Sequence, residues 1–216
     1  MGLRINDVVP NLELNTDQGT FKLHDFIGGQ WTILFSHPKD FTPVCTTEFG
    51  AVAQLAEEWK KRNTKVIGLS VDGVEEHTKW KSDIEKFAGA KATFPIIADK
   101  SLHVSKALDM LPADAYLPDG RTAADSASVR VVFIFSPDKK MQLSMTYPMS
   151  VGRNFAEVLR ALDALQATYG KPIATPANWL QGQDVIVALS LNDEQAKAKF
   201  GEIDVKLPYL RTTKMP

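Results

Sequence analysis

Cys45 is the only cysteine in the chain, and the residues before it are of the kind that activate a thiol. An apolar run, Trp31-Thr32-Ile33-Leu34-Phe35-Ser36, leads into His37-Pro38-Lys39-Asp40-Phe41-Thr42-Pro43-Val44, and an amphipathic stretch follows from Thr46. The order reads strand, loop, helix. Thr42 suits an N-cap and Pro43 a first helical position. Cys45 then falls third in the helix, among backbone N–H groups that lack a helical acceptor. Those donors and the positive end of the helix dipole favour an anion, so a reachable thiolate is expected. It would attack an electrophile: a peroxide oxygen, an acyl carbon or another sulfur. The plainer alternative is a small buried hydrophobe, the usual fate of a lone cysteine. The polar, proline-rich approach argues against it.

The chain has 216 residues and a formal net charge of −1, which gives no reason to expect a nucleic-acid or membrane-surface partner. No apolar run approaches the roughly 20 residues that span a bilayer. Residues 1–7 resemble neither a secretory signal nor a transit peptide. One cysteine cannot close an intrachain disulfide. A reducing cytoplasm is the expected compartment.

Strands are expected over 31–36, 65–71, 94–98, 129–135 and 141–147, and helices over 46–62, 75–87, 102–108 and 154–169. The alternation is α/β. The near-continuous apolar runs 33–35 and 131–135 fit central strands covered on both faces. Residues 136–140, Ser-Pro-Asp-Lys-Lys, read as a hairpin turn. Asn154 and Glu157 have capping-box spacing. After Gly170 the chain becomes proline-rich, and a short strand over 185–189 and a helix over 193–200 follow. The domain expectation is therefore residues 1–169, with an extension over 170–216 too small for a large core of its own.

A strand that runs through a proline loop into a cysteine-bearing helix suggests a thioredoxin-like site. The dithiol version needs C-x-x-C; here the run is Thr42-Pro43-Val44-Cys45, so no internal disulfide cycle is possible. The segment Pro38-x-x-x-Thr42-x-x-Cys45, with His37, Asp40-Phe41 and Thr46-Thr47-Glu48 around it, resembles the one-cysteine peroxiredoxins. Agreement extends through Gly68–Asp72, Phe94–Asp99, Val129–Ile134, Thr146–Pro148 and Gly152–Phe155, nearly the whole chain. The resemblance implies a thioredoxin-like α/β fold: a central mixed β-sheet flanked by helices, plus a smaller C-terminal α+β extension.

The resemblance also implies roles. Cys45 is the peroxidatic nucleophile, Thr42 bonds the peroxide and thiolate, Pro38 shields the sulfur, and Arg130 holds the thiolate and polarises the O–O bond. Supporting places fall to Glu48, which would orient Arg130, to Arg153 as a second cation, and to His37 on the nucleophile's own loop. The residues taken alone allow plainer readings: Thr42 only a cap, Arg130 a surface charge, Glu48 a dipole partner. No metal, haem or flavin is implied. The implied substrates are hydrogen peroxide and organic hydroperoxides, and the sulfenic acid needs an external thiol: glutathione, or a glutaredoxin- or thioredoxin-type protein. A homodimer is implied, joined through the 141–147 edge and the C-terminal segment, with larger rings possible.

Three other readings compete. An acyl-transfer enzyme with His37 as base lacks a protease signature. A phospholipase, described for some relatives of the subgroup, needs a serine where this chain has Gln30, although His24 and Asp138 stand at the partner positions. A non-enzymatic holdase predicts an unreactive Cys45. His24, His77 and His103 show no metal-ligand spacing and read as ordinary surface or packing residues.

Overall fold

The computed structural model describes residues 2–117, 119, 122 and 125–216, and opens on a hairpin that the apolar pattern does not announce. Strands β1 (Glu13–Thr16) and β2 (Gly19–Lys22) pair antiparallel, and the short helix α1 (Leu23–Ile27) follows. Strand β3 (Trp31–Ser36) comes next, then α2 (Pro43–Gln54), α3 (Ala56–Lys61), β4 (Thr64–Ser70) and α4 (Val74–Ala88). The first unit continues with β5 (Ile96–Ala98), α5 (His103–Ala107), β6 (Arg130–Phe135) and β7 (Met141–Tyr147).

These strands form one seven-stranded sheet in the order β2-β1-β5-β4-β3-β6-β7. β3, β4 and β5 run parallel, while β1, β6 and β7 pair antiparallel with their neighbours, so the sheet is mixed as expected. All six residues of β3 are buried, because both faces of the sheet are covered. Alternation divides them: Leu34 joins a core with Leu14, Ile67, Leu69 and Phe133, while Phe35 meets Phe49 at 4.7 Å between ring centres on the other side. Burying each such side chain contributes about 1.5–3 kcal/mol.

The helical stretch expected over 46–62 is two helices. The ladder tightens at Leu55, whose N–H bonds the Val52 carbonyl at 3.3 Å, and the Trp59 indole donates to that same carbonyl at 3.1 Å. Two glycines seat α2. A Cβ on Gly68 of β4 would lie 2.9 Å from the Phe49 ring, and one on Gly50 would lie 2.8 Å from the Ala88 Cβ of α4. The helix that carries Cys45 therefore rests directly on the sheet and directly on α4.

Backbone contacts divide the chain into Met1–Arg153 and Asn154–Pro216, so the long helix expected in the first domain falls in the second unit. That unit contains α6 (Phe155–Thr168), β8 (Ile173–Ala174), β9 (Val185–Val187), α7 (Asp193–Phe200), β10 (Asp204–Leu207) and β11 (Leu210–Thr213). Its four strands form an antiparallel sheet in the order β10-β11-β9-β8. Trp179, fully buried with Ala167, Ile173 and Val185, anchors a small core. Asn154 caps α6 by accepting from the N–H groups of Ala156 and Glu157, but no capping box closes there. Glu157 instead takes a bidentate contact from Arg160, at 2.6 and 2.8 Å. The box forms at α7, between Asn192 and Gln195. Among the described residues, no helix is long and apolar enough to cross a membrane.

Candidate active site

α2 starts where the sequence indicates. Thr42 is the extended N-cap residue, Pro43 the first helical residue, and Cys45 the third. The buried positions of α2 include Cys45, Glu48, Phe49, Val52 and Ala53, the spacing of one helix face. Cys45 thus heads the stripe that faces the sheet, and it is fully buried in the chain. The expectation of a reachable thiol is corrected on this point: the same face that supplies its partners removes it from solvent. The Thr42 hydroxyl also departs from expectation. It makes no cap bond and donates to the Lys39 carbonyl at 2.9 Å, tying the loop back on itself.

The sulfur's partner comes from the opposite side of the sequence. Arg130, first residue of β6, is 3% exposed and donates from Nη1 to Cys45 Sγ at 3.3 Å. The same nitrogen donates to Glu48 Oε2 at 2.7 Å, and Arg130 Nε donates to the Met149 carbonyl at 2.8 Å. Arg153 completes the cluster. It donates to Glu48 from Nη2 at 2.7 Å, from Nε at 2.9 Å and from its backbone N–H at 2.8 Å, and from Nη1 to the Val131 carbonyl at 2.8 Å. Its guanidinium also stacks over the Phe35 ring, 5.4 Å from the centre. Burial alone would raise the Glu48 carboxyl, but Arg153 first and Arg130 second hold it below its ordinary value. Two buried guanidiniums therefore share one carboxylate, and the charge left over faces the sulfur. Arginine suits this place because it stays charged and its planar fork holds fixed angles. A lone buried arginine would be costly; the carboxylate between the two offsets that cost.

His37 is buried, but no hydrogen bond joins it to the sulfur. Its Nε2 donates to Asp40 Oδ1 at 2.7 Å, its Nδ1 has no partner, and its ring stacks on Trp80 at 5.0 Å between centres. Pro38 is half-buried in the same loop. Asp40 is the hub of this loop. Its Oδ2 accepts from His77 Nδ1 at 2.6 Å, and its backbone N–H donates to Asp72 Oδ2 at 2.8 Å. Ser70 Oγ donates to Asp72 Oδ2 at 2.8 Å. Burial would raise the Asp40 carboxyl, but His37 and His77 draw it down to about 2. Beside it, Phe41 has φ +54°, a left-handed conformation that costs a bulky residue of order 1–3 kcal/mol.

Sequence reasoning missed His77, Asp72 and Ser70. A signal for His77 existed: it stands three residues before Trp80 and seven before Ile84, the other buried positions of α4, so it lies on that helix's inner face. His24 donates from Nε2 to the Val9 carbonyl at 2.7 Å. Gln30 bonds the Asn63 side chain, and Asp138 pairs with Lys140 at 2.9 Å. The three positions weighed for lipid hydrolysis are thus each engaged elsewhere.

Comparison with known proteins agrees with this architecture. Residues 5–144 match the AhpC/TSA family, and residues 164–202 match the C-terminal domain of 1-Cys peroxiredoxin. The chain is 48% identical to peroxiredoxin-6 of Gallus gallus, across 100% of this chain and 99% of that one. It is 47% identical to the mitochondrial peroxiredoxin PRX1 of Saccharomyces cerevisiae, across 98% of this chain and 81% of the other. A crystal structure of a cysteine-to-serine mutant of the peroxiredoxin 6 of Arenicola marina superposes with a TM-score of 0.92 at 42% identity, covering 100% and 99% of the two chains. A structure of the yeast mitochondrial 1-Cys peroxiredoxin, addressing thiol resolution via the glutathione and thioredoxin systems, gives 0.87 at 46% identity, covering 98% and 99%.

Proposed function

Because this chain belongs to the AhpC/TSA family, and within it to the one-cysteine peroxiredoxins, it is a thiol peroxidase, and we propose that Cys45 and Arg130 carry its chemistry with Glu48 and Arg153 as their support. The observation that carries the proposal is the 3.3 Å contact between Arg130 Nη1 and Cys45 Sγ, backed by the shared carboxylate.

The Cys45 thiolate attacks one oxygen of a hydroperoxide. An S–O bond forms, the O–O bond breaks, and the leaving oxygen takes a proton to depart as water or an alcohol. The sulfur is oxidised to sulfenic acid and the peroxide reduced by two electrons. Arg130 donates toward the oxygens as charge develops on them, a task that suits a preorganised, dry donor. Thr42 and Pro38 stand on the loop leading into α2, where a bound peroxide meets the Thr42 hydroxyl once it turns from Lys39. His37 supports the loop through Asp40.

No second thiol in the chain can condense with the sulfenic acid, so an external thiol returns the two electrons. Glutathione or a thioredoxin-type protein is the reductant favoured by the yeast relative's structure. The protein works as a cytoplasmic homodimer in this reading. Among the described residues β7 ends the strand order of the sheet; residues 6 and 7 bond its Met141 end, and the edge beyond Met141 calls for a partner strand.

The test is peroxide consumption by wild type and Cys45→Ser, with glutathione, a thioredoxin system and a small dithiol supplied in turn. Turnover by wild type with at least one reductant, and none by the variant, is expected. Equal consumption by both proteins would refute the assignment.

A further inference from the structure

The loop from β3 to α2 holds its shape against its own backbone preference. Phe41, with φ +54°, lies between Asp40 and the cap residue Thr42; it is about half exposed, and its ring meets Trp80 at 6.5 Å between centres, so packing alone does not hold it there. What holds the loop is Asp40, on the N-terminal side of the strained residue. Its carboxylate accepts from His37 Nε2 at 2.7 Å and His77 Nδ1 at 2.6 Å. The His37–Asp40 bond stays within the loop, although the His37 ring stacks on Trp80 of α4 and its backbone bonds Leu69 and Ser128. His77 bonds Asp40 from outside the loop. It stands on α4, it is fully buried, and its other nitrogen, Nε2, lies 3.2 Å from the Ile97 carbonyl of β5. One imidazole thus links the loop to a helix and to the sheet.

We propose that His77 is a positioning residue for the peroxidase reaction: acting through Asp40, it fixes the loop that presents the first turn of α2 and Cys45 to the peroxide. The inference rests on Cys45 being the peroxidatic thiol and adds a residue distant from the sulfur in sequence. His77 does not touch the reacting atoms. Its contribution is geometric, and a misplacement of about 1 Å at a reacting centre costs on the order of a hundredfold in rate.

Two conservative variants separate this role from plain core packing. Asparagine places its amide nitrogen near the Nδ1 position and keeps the Asp40 bond, while losing the Ile97 contact. Glutamine places its nitrogen near Nε2 and does the reverse. The experiment is single-turnover oxidation of the reduced protein by hydrogen peroxide, without any reductant, followed by stopped-flow fluorescence and by loss of free thiol. His77→Asn should react within about threefold of wild type, and His77→Gln about ten- to a hundredfold more slowly. The gap between them should vanish in an Asp40→Asn background, because the two residues act as a unit. Equal rates for the two variants, a faster glutamine variant, or a gap that survives in the Asp40→Asn background would each overturn the proposal. Should Asp40→Asn fail to fold, the asparagine–glutamine comparison alone decides. An unreactive Cys45 in the wild type would instead remove the functional reading itself, and this inference with it.

Discussion

Replacing Glu48 by glutamine tests whether one carboxylate organises the site. Glu48 accepts four hydrogen bonds in a buried setting: two on Oε1, from Arg153 Nε and backbone N, and two on Oε2, from Arg130 Nη1 and Arg153 Nη2. Glutamine has the same shape but offers one acceptor oxygen and one amide nitrogen. Whichever way the amide turns, its NH₂ confronts two N–H donors, so two of the four bonds are lost. At about 1.5–3 kcal/mol for each bond to a charged group, the loss is about 3–6 kcal/mol. Breaking a buried ion pair by removing one partner gives a similar range, about 3–5 kcal/mol. For a chain of this size each kcal/mol lowers the melting temperature by about 2–4 °C, so a drop of about 6–24 °C is expected. The assay is thermal unfolding of the reduced protein near neutral pH, where the native carboxylate is ionised. It should be repeated in a Cys45→Ser background to remove any contribution from the sulfur. A change below about 2 °C in both backgrounds would show that the two guanidiniums do not depend on this carboxylate, and the account of the cluster would fail.

Three further outcomes follow from the same geometry. Arg130→Met should slow oxidation of Cys45 by hydrogen peroxide about 10²–10³-fold, the usual loss for one preorganised donor, and a rate within threefold of wild type in stopped flow would exclude Arg130 from the reaction. Stability should fall in acid in two stages. Burial lowers the His37 pKa despite its bond to Asp40, so the unfolded chain takes up that proton first, as pH drops below about 6.5. Asp40 is held near 2, so its contribution is complete above about 4 and is lost between about 4 and 2, amounting to roughly 2 kcal/mol. Urea midpoints measured from pH 8 to about pH 2 should show both stages, and Asp40→Asn should shrink the lower one, to which Glu48 also contributes. Finally, graded hydrogen peroxide without reductant should carry Cys45 on to sulfinic acid, since no thiol in the chain intercepts the sulfenic acid. Intact mass should gain two oxygens, and a single stable addition at large excess would contradict this.

Much of the framework can be read from the sequence, for identifiable reasons. β3 and β7 begin and end where expected, because Gly28-Gly29-Gln30 and His37-Pro38 flank the first and Lys140 and Pro148 flank the second. The β1–β2 hairpin escapes notice because four-residue strands rich in Thr, Asn and Gly carry too little alternation to register. The reactive end of α2 is local and therefore legible. The rest of the site is not: Arg130 meets a residue 85 positions earlier, and Arg153 one 105 positions earlier. Only the family resemblance brings those arginines forward. The Thr42 hydroxyl could not be assigned in advance, because a hydroxyl next to a turn has several carbonyls within reach. The sequence alone reads His77 as an ordinary surface or packing residue; its helical spacing with Trp80 and Ile84 marks an inward face, but its bond to Asp40 joins residues 37 positions apart.

The close seating of α2 on Gly68 and Gly50 bears on how this protein can drift over time. Where the sulfur lies is dictated partly by two methyl groups that are missing, one in a strand and one on the helix's far side. A descendant sequence that gained alanine at either place would retain every reactive side chain while tilting the rod on which the nucleophile rides. Loss of activity by that route would leave no trace in an inventory of reactive groups.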